Sequence, residues 1–383
     1  MTRLDTRPEP KGWCPGAHRP MVSGDGLIVR VRPRLARLSS VQLRGLAEAA
    51  LCHGSGLIDL TSRANLQLRG VTAAGLEPLL QDLAALDLLD VDAEAEARRN
   101  VMVAPEWQAG DLTFRLAQGL LARLADLPRL PAKFGFAVDA GGQRALADAS
   151  ADIRIERGAG GLVGGLIVRA DGATHGLPVT EAAAVPAVLA MAAWFVAQGA
   201  QDPQARRMAR RMARLVATGA VMPGWTALPG PEQALPQPGS RPLGAMVGFA
   251  FGRIAARDLL ALPPVAVRVT PWRMLLLEGV GLPDVPGVLT VPDPILRVDA
   301  CPGAPLCGSA TVETRGLARA LARPGLHVSG CAKGCARAKP AKVTLVGREG
   351  RFDLVQDGTA WDRPVLRGLM PGEISGAIHD LGL

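Results

Sequence analysis

Four of the six cysteines of this 383-residue chain fall between Ala300 and Ala338, and no other feature restricts its fold so tightly. Cys301 and Cys307 lie in ACPGAPLC, and Cys331 and Cys335 lie in SGCAKGCARA. The spacing is C-x5-C, 23 residues, then C-x3-C. Each pair supplies two soft ligands from one local turn, as a thiolate metal centre requires. Pro302, Gly303, Pro305 and Gly334 keep this backbone out of regular helix, so neighbouring sulfurs can converge.

Three chemistries compete for these thiols. Structural zinc favours C-x2-4-C pairs, which suits Cys331 and Cys335 but not the wider Cys301–Cys307 spacing. Disulfides belong to oxidising compartments, and MTRLDTRPEPKGWCPG lacks the apolar core of an export signal. An iron–sulfur cluster suits the four sulfurs best. Cys14 and Cys52 stand alone and read as ordinary thiols.

The length allows two or three domains with real cores. Although 48% of residues are hydrophobic, no charge-free apolar run near 18 residues is expected, so a cytoplasmic protein without a membrane span is expected. A net charge of +8 favours an anionic partner. With no tyrosine, seven Phe and six Trp, platforms for stacking nucleic-acid bases are scarce. A polycarboxylate in a basic pocket fits that charge, as does a solvated basic surface.

Residues 1–20 are Pro- and Gly-rich and predict an extended arm. Residues 26–32 predict a strand ending at Pro33. Ser39 to Gln42 has the form of a capping box, and Leu46, Ala47, Ala50 and Leu51 continue as a helical stripe to Gly54. Residues 57–70 (LIDLTSRANLQLRG) return to strand character. A continuous strand there would set Arg63, Asn65, Gln67 and Arg69 along one face over roughly 20 Å. A half-exposed strand gives that pattern too, but such a row could instead grip carboxylates through bidentate hydrogen bonds.

A weak internal repeat follows. DLTSRANLQLRGV (59–71) lines up without gaps on RVTPWRMLLLEGV (268–280), and GLIVRVRP has a rough counterpart in GAMVGFAFG (244–252). Residues 94–221 alternate helix and strand patterns, including helices over 182–199 and 204–217. The Gly-rich 158–165 run predicts a turn or hairpin rather than a phosphate loop. Residues 308–321 predict a helix starting just after Cys307, with its positive end near the sulfurs. A hairpin over 342–355 and a last helix over 371–381 complete the chain.

The pattern AC-x5-C…SGC-x3-CA resembles the cluster signature of the sulfite and nitrite reductase superfamily. Thr61, Arg63 and Gln67 resemble its tetrapyrrole-binding T-x-R-x-x-x-Q strand, Arg99-Asn100-Val101 its R-N-V element, and LPAKFGFAV (130–138) its L-P-x-K-F-K strand. The resemblance implies an α+β, sulfite/nitrite reductase-like fold with two ferredoxin-like half-domains related by a pseudo-twofold. Its parts would be an arm (1–20), half-domain 1 (21–90), an α/β domain (94–221), a linker (222–241), half-domain 2 (242–296) and a [4Fe–4S] cluster domain (297–383). Cys301, Cys307, Cys331 and Cys335 would ligate the cluster, with Cys335 also facing a tetrapyrrole's metal. Arg63, Arg99 and Lys133 match three catalytic cations of the reductases. Gly135 stands where their second lysine belongs, which counts against six-electron reduction of sulfite or nitrite.

Within the superfamily the chain is most similar to the precorrin-3B synthase family, through CPGAHRPMVSGDGLIVRVRP, the tetrapyrrole strand, the cluster motif and VTLVGREGRFDLVQDG. That likeness implies O2-dependent hydroxylation of precorrin-3A at C20 with γ-lactone formation, in aerobic cobalamin biosynthesis. The enzyme would be a monooxygenase drawing electrons from NADH through a separate reductase, with no nucleic-acid or membrane partner. Arg63, Asn65, Gln67 and Arg69 would hold the macrocycle's rim, with Arg99 and Lys133 over its face. The family also implies a mononuclear non-haem iron. Its ligands are not legible among His18, His53, His175, His327 and His379. His327 is the most suggestive, although a hydrogen-bonded core histidine gives the same pattern. Two rival readings remain: a sirohaem-dependent sulfite or nitrite reductase, and a non-enzymatic cluster-carrying or zinc-stapled binding protein.

Overall fold

The computed structural model describes residues 15–160, 165–201 and 211–383. Cys14 with most of the N-terminal arm, residues 161–164 of the Gly-rich run and residues 204–210 of the Arg-rich segment lie outside the described residues.

Two antiparallel five-stranded sheets form the half-domains. The first runs Met21–Ser23, Gly26–Val31, Leu66–Val71, Leu57–Leu60 and then Arg253–Ala255. The second runs Gly239–Arg241, Gly244–Gly248, Met274–Glu278, Val267–Val269 and then Arg37–Leu38. Each half lends a short strand to the edge of the other's sheet, covering an edge that would otherwise leave backbone groups unpaired. Helices Ser40–His53 and Ala256–Ala261 follow the exchanged strands and pack together. Beneath them Leu46, Leu66, Leu68, Val247, Leu275 and Leu277 belong to one core. Ser39 opens the longer helix as expected: its hydroxyl accepts the Gln42 N–H at 3.2 Å, and the Gln42 side chain accepts the Ser39 N–H at 3.0 Å.

The repeat is visible atom by atom. The Thr61 N–H donates to the Asn65 carbonyl at 2.9 Å, and the Thr270 N–H donates to the Met274 carbonyl at 3.1 Å. The matched residues Ala64 and Arg273 both adopt left-handed backbone, at φ 53° and 63°. Two tight hairpins at aligned positions therefore replace the single long strand expected over 57–70. Asn65, Gln67 and Arg69 consequently do not extend one row from Arg63, which sits inside the turn.

The two remaining sheets repeat one another as well. Val101–Val103, Phe136–Asp139, Ile153–Arg157, Leu166–Ala170 and Leu177–Val179 pair in chain order, two junctions parallel and then two antiparallel. Asp299–Ala300, Leu326–Ser329, Ala341–Arg348, Arg351–Gly358 and Leu366–Leu369 follow the same scheme. The helix Glu181–Gln201 is long and apolar enough to cross a membrane by length and composition, contrary to expectation. Its Ala184, Val188, Met191, Ala192 and Phe195 pack into the core of the first of these domains.

In the segment 222–241, Ala227, Pro229 and Glu232 bridge to Gly176, Gly158 and Arg144. One other expectation needs revision. The helix after Cys307 begins only at Arg315, since residues 304–312 are drawn into cross-links. Ala304 donates to the Val312 carbonyl at 2.8 Å and Thr311 to the Gly330 carbonyl at 3.2 Å. The helix Arg315–Leu321 thus does not start directly after Cys307.

Candidate functional site

The first two parallel strands of the last sheet end at the cysteines. Cys301 follows Asp299–Ala300 directly, and Cys331 lies two residues beyond Leu326–Ser329. Carboxyl ends of parallel strands are where open α/β sheets place ligands. The equivalent places in the repeated domain hold Ala104 and Gly141, so only the second copy carries thiols. Gly330 sits close against the first loop, where an added Cβ would meet the Ala310 Cβ at 2.5 Å. Its N–H donates to the Cys301 Sγ at 3.1 Å. The Thr314 hydroxyl donates to the Cys301 carbonyl at 2.6 Å, and the Ser329 hydroxyl to the Cys331 carbonyl at 2.7 Å.

All four thiols line one cleft of about 1440 Å³ between the last domain and the first half-domain. Solvent reaches Cys335, yet the surrounding protein mass, and then Cys331, Cys301 and Cys307, push its thiol up to about 11. Burial likewise pushes Cys331 up, with Cys301 and Cys307 adding to it. Mutual repulsion among thiolates is what a bound metal centre relieves, and ligation displaces the protons. Among the described residues no three His, Cys, Asp or Glu side chains stand close enough to share a single ion. Four soft sulfur donors on one wall of the cleft are the chemistry that a polynuclear iron–sulfur cluster would need. The described residues offer no ligand set for a mononuclear iron.

Lining the same cleft are Arg30, Arg69, Arg273, Arg297, Arg315, Arg337, Lys133, Lys333 and Lys342, facing two carboxylates, Asp59 and Asp299. Both carboxylates are already held. Arg273 and Arg337 pair with Asp299, while Arg253 at 3.0 Å and Arg69 at 3.3 Å pair with Asp59. The surplus positive charge favours a polyanion. Val22, Ile28, Trp272, Met274 and Leu296 supply apolar wall beside it.

The sequence-predicted residues fall into two groups. Gln67, Arg69, Lys133 and the four cysteines line the cleft; Arg63, Asn65 and Arg99 do not. Arg63 donates to the Lys133 carbonyl at 2.9 Å and so braces the turn that carries that lysine. Asn65 is buried in the hairpin. Arg99 is buried too: its guanidinium grips Asp90 at 2.8 and 2.7 Å and also donates to the Arg32 carbonyl. Arg69 reaches the wall, but Asp25 takes it bidentately at 2.8 Å, which leaves it structural. Residues 131–135 form a turn, and only Phe136–Asp139 is strand.

Gly135 has no room for the missing lysine, since a Cβ there would meet the Asn100 Nδ2 at 2.5 Å. His327 is fully buried on its strand, and among the described residues neither ring nitrogen has a hydrogen-bond partner, so it is not the hydrogen-bonded core histidine expected. Burial lowers it to about 4, which keeps the ring neutral. Arg30, Arg273, Arg315 and Arg337 went unnoticed in the sequence. Arg30 pairs in register with Gln67 and donates to its Oε1 at 2.6 Å, so strand alternation in VRVR was the available signal.

Comparison with known proteins agrees with this architecture. Residues 19–86 match the family model for the nitrite/sulfite reductase ferredoxin-like half domain. A protein named precorrin-3B synthase from Sinorhizobium sp is 30% identical over a 397-residue alignment that takes in 91% of this chain and 83% of that protein. The solved structure of the Mycobacterium tuberculosis NirA protein superposes with a TM-score of 0.64 at 17% identity, over 92% of this chain and 79% of that one. At that identity the likeness speaks for the fold.

Proposed function

This chain belongs to the precorrin-3B synthase family, and on that premise we propose that it hydroxylates precorrin-3A at C20 with closure of a γ-lactone from the ring A acetate. One atom of O2 ends on the macrocycle and the other leaves as water. Two electrons come from NADH through a separate reductase. The observation that carries this reading is the shared cleft: four thiols at one wall and nine cationic side chains around a space of about 1440 Å³.

Cys301, Cys307, Cys331 and Cys335 would hold a [4Fe–4S] cluster, which when bound supplies one-electron transfer next to the substrate. Because Asp59 and Asp299 are already neutralised, the remaining cations are available to the acetate and propionate groups of a tetrapyrrole. Gln67, held by Arg30, and Lys133, on the turn braced by Arg63, would orient the ring. Apolar residues at Val22, Trp272 and Met274 would cover its faces and exclude water. No step is assigned to a mononuclear iron, for which the described residues offer no ligand set.

The test is a turnover of precorrin-3A under ¹⁸O2 with NADH and a reductase, read by mass spectrometry. The product should gain one labelled oxygen and show the lactone. Product without label, or no product from cluster-replete protein, would contradict the assignment.

A further inference from the structure

Arg315 opens the helix Arg315–Leu321 and lines the cleft on the side of the cysteine domain. Its Nη2 lies 3.8 Å from the Asp59 Oδ1, too far for a hydrogen bond. That carboxylate already accepts from Arg253 and Arg69. The Arg315 Nε and Nη1 are buried, and no described protein group accepts from them. Its guanidinium sits 5.7 Å from the centroid of the Phe251 ring, which holds it in place without offering an acceptor. Three guanidiniums thus surround Asp59, with Asp25 compensating Arg69, and a positive charge is left over in the cleft that Cys301 also lines.

A buried N–H without a partner carries an uncompensated desolvation cost. Such a group calls for an explanation, and an acceptor not made of protein is the direct one. Solvent does not reach these atoms, so a carboxylate arriving through the cleft is a poorer match than a sulfur-rich group assembled in place.

We propose that Arg315 is a positioning residue that compensates the charge of the cysteine-bound iron–sulfur centre and sets its reduction potential. The proposal rests on the cluster reading above. One-electron reduction adds one negative charge to the centre, and a fixed neighbouring cation favours the reduced form.

The experiment compares wild type, Arg315→Gln and Arg315→Lys, each purified without oxygen, by iron and sulfide content and by EPR-monitored redox titration. Arg315→Gln should keep the cluster and shift its potential to more negative values, and Arg315→Lys should restore most of that shift. A full cluster at unchanged potential in Arg315→Gln overturns the proposal, including the case in which tetrapyrrole binding alone weakens. If Arg315→Gln loses the cluster, Arg315→Lys decides. A retained cluster near the wild-type potential supports the charge role, and a lost one overturns it in favour of shape. A wild-type chain that takes up no iron and sulfide sinks the cluster reading itself, and this proposal with it.

Discussion

Arg37 donates two hydrogen bonds of 2.8 Å each to the carboxylate of Glu278, a residue 241 positions further along the chain. Arg37 lies on the strand that the first half lends to the second. Arg268 reaches the same carboxylate at 2.7 Å. The first half mirrors this with Arg253 and Arg69 on Asp59. In the aligned repeat Asp59 matches Arg268 and Arg69 matches Glu278, so acid and base have changed places between halves. In both, an arginine on the exchanged strand meets the acid. The pseudo-twofold is thereby pinned by charge as well as by backbone pairing.

Glu278→Gln tests that pin. The hydrogen bonds from Arg37, then those and the charge of Arg268, hold Glu278 down at about 2, against an ordinary 4.5. A depressed carboxyl contributes stability above its unfolded value and loses it as pH falls from 4.5 towards 2. Replacement should lower stability near neutrality by about 1–3 kcal/mol and flatten the acid limb of the curve. Urea unfolding from pH 2.5 to 7 reads both effects.

Asp139 carries the opposite sign. Burial, reinforced by Glu156, pushes it up to about 6 despite the Leu146 N–H and the charges of Arg144 and Arg154. Between pH 3.8 and 6 the native state therefore binds more protons than the unfolded chain, and stability falls as pH rises through that window. Asp139→Asn should remove that slope while keeping the bond from Leu146. A slope that survives in the variant would assign it to another group.

Cys335→Ser should abolish the iron–sulfur absorption and turnover together, because the proposed ligand set would lose one of its four thiolates. The protein should still unfold cooperatively, since the Cys335 side chain lies at the cleft mouth rather than in the core. Full activity in this variant would refute the ligand assignment.

Gly135→Lys restores the lysine that the reductases of the superfamily carry. The clash with Asn100, whose Nδ2 donates to the Phe134 carbonyl at 2.7 Å, should cost about 1–3 kcal/mol by overpacking. Sulfite reduction should not appear. Thermal unfolding and a sulfite assay on the same sample give the answer.

Part of the fold was legible because its signals are local: the Ser39 capping box and the hairpin turn within 347–350 sit in short windows, whereas the Thr61 turn was hidden inside what read as one strand over 57–70. The cysteine spacing likewise foretold that the four thiols share one cleft. The edge-strand exchange escaped, since Arg37–Leu38 and Arg253–Ala255 are too short to carry an alternation pattern. The cationic wall escaped for a different reason. Whether Arg69, Arg99 or Arg315 faces a ligand depends on which carboxylate lies beside it, and Asp25, Asp90 and Asp59 come from other elements. Alternation placed Arg69 at the wall but said nothing of its bidentate partner.

The most direct test of the account is the absorption spectrum of protein purified without oxygen, with iron, sulfide and zinc assayed on the same sample. The account predicts four iron and four sulfide per chain, a broad iron–sulfur shoulder and no bound porphyrinoid, which leaves the cleft open for precorrin-3A. Sharp sirohaem bands, or stoichiometric zinc in a colourless protein, would contradict it.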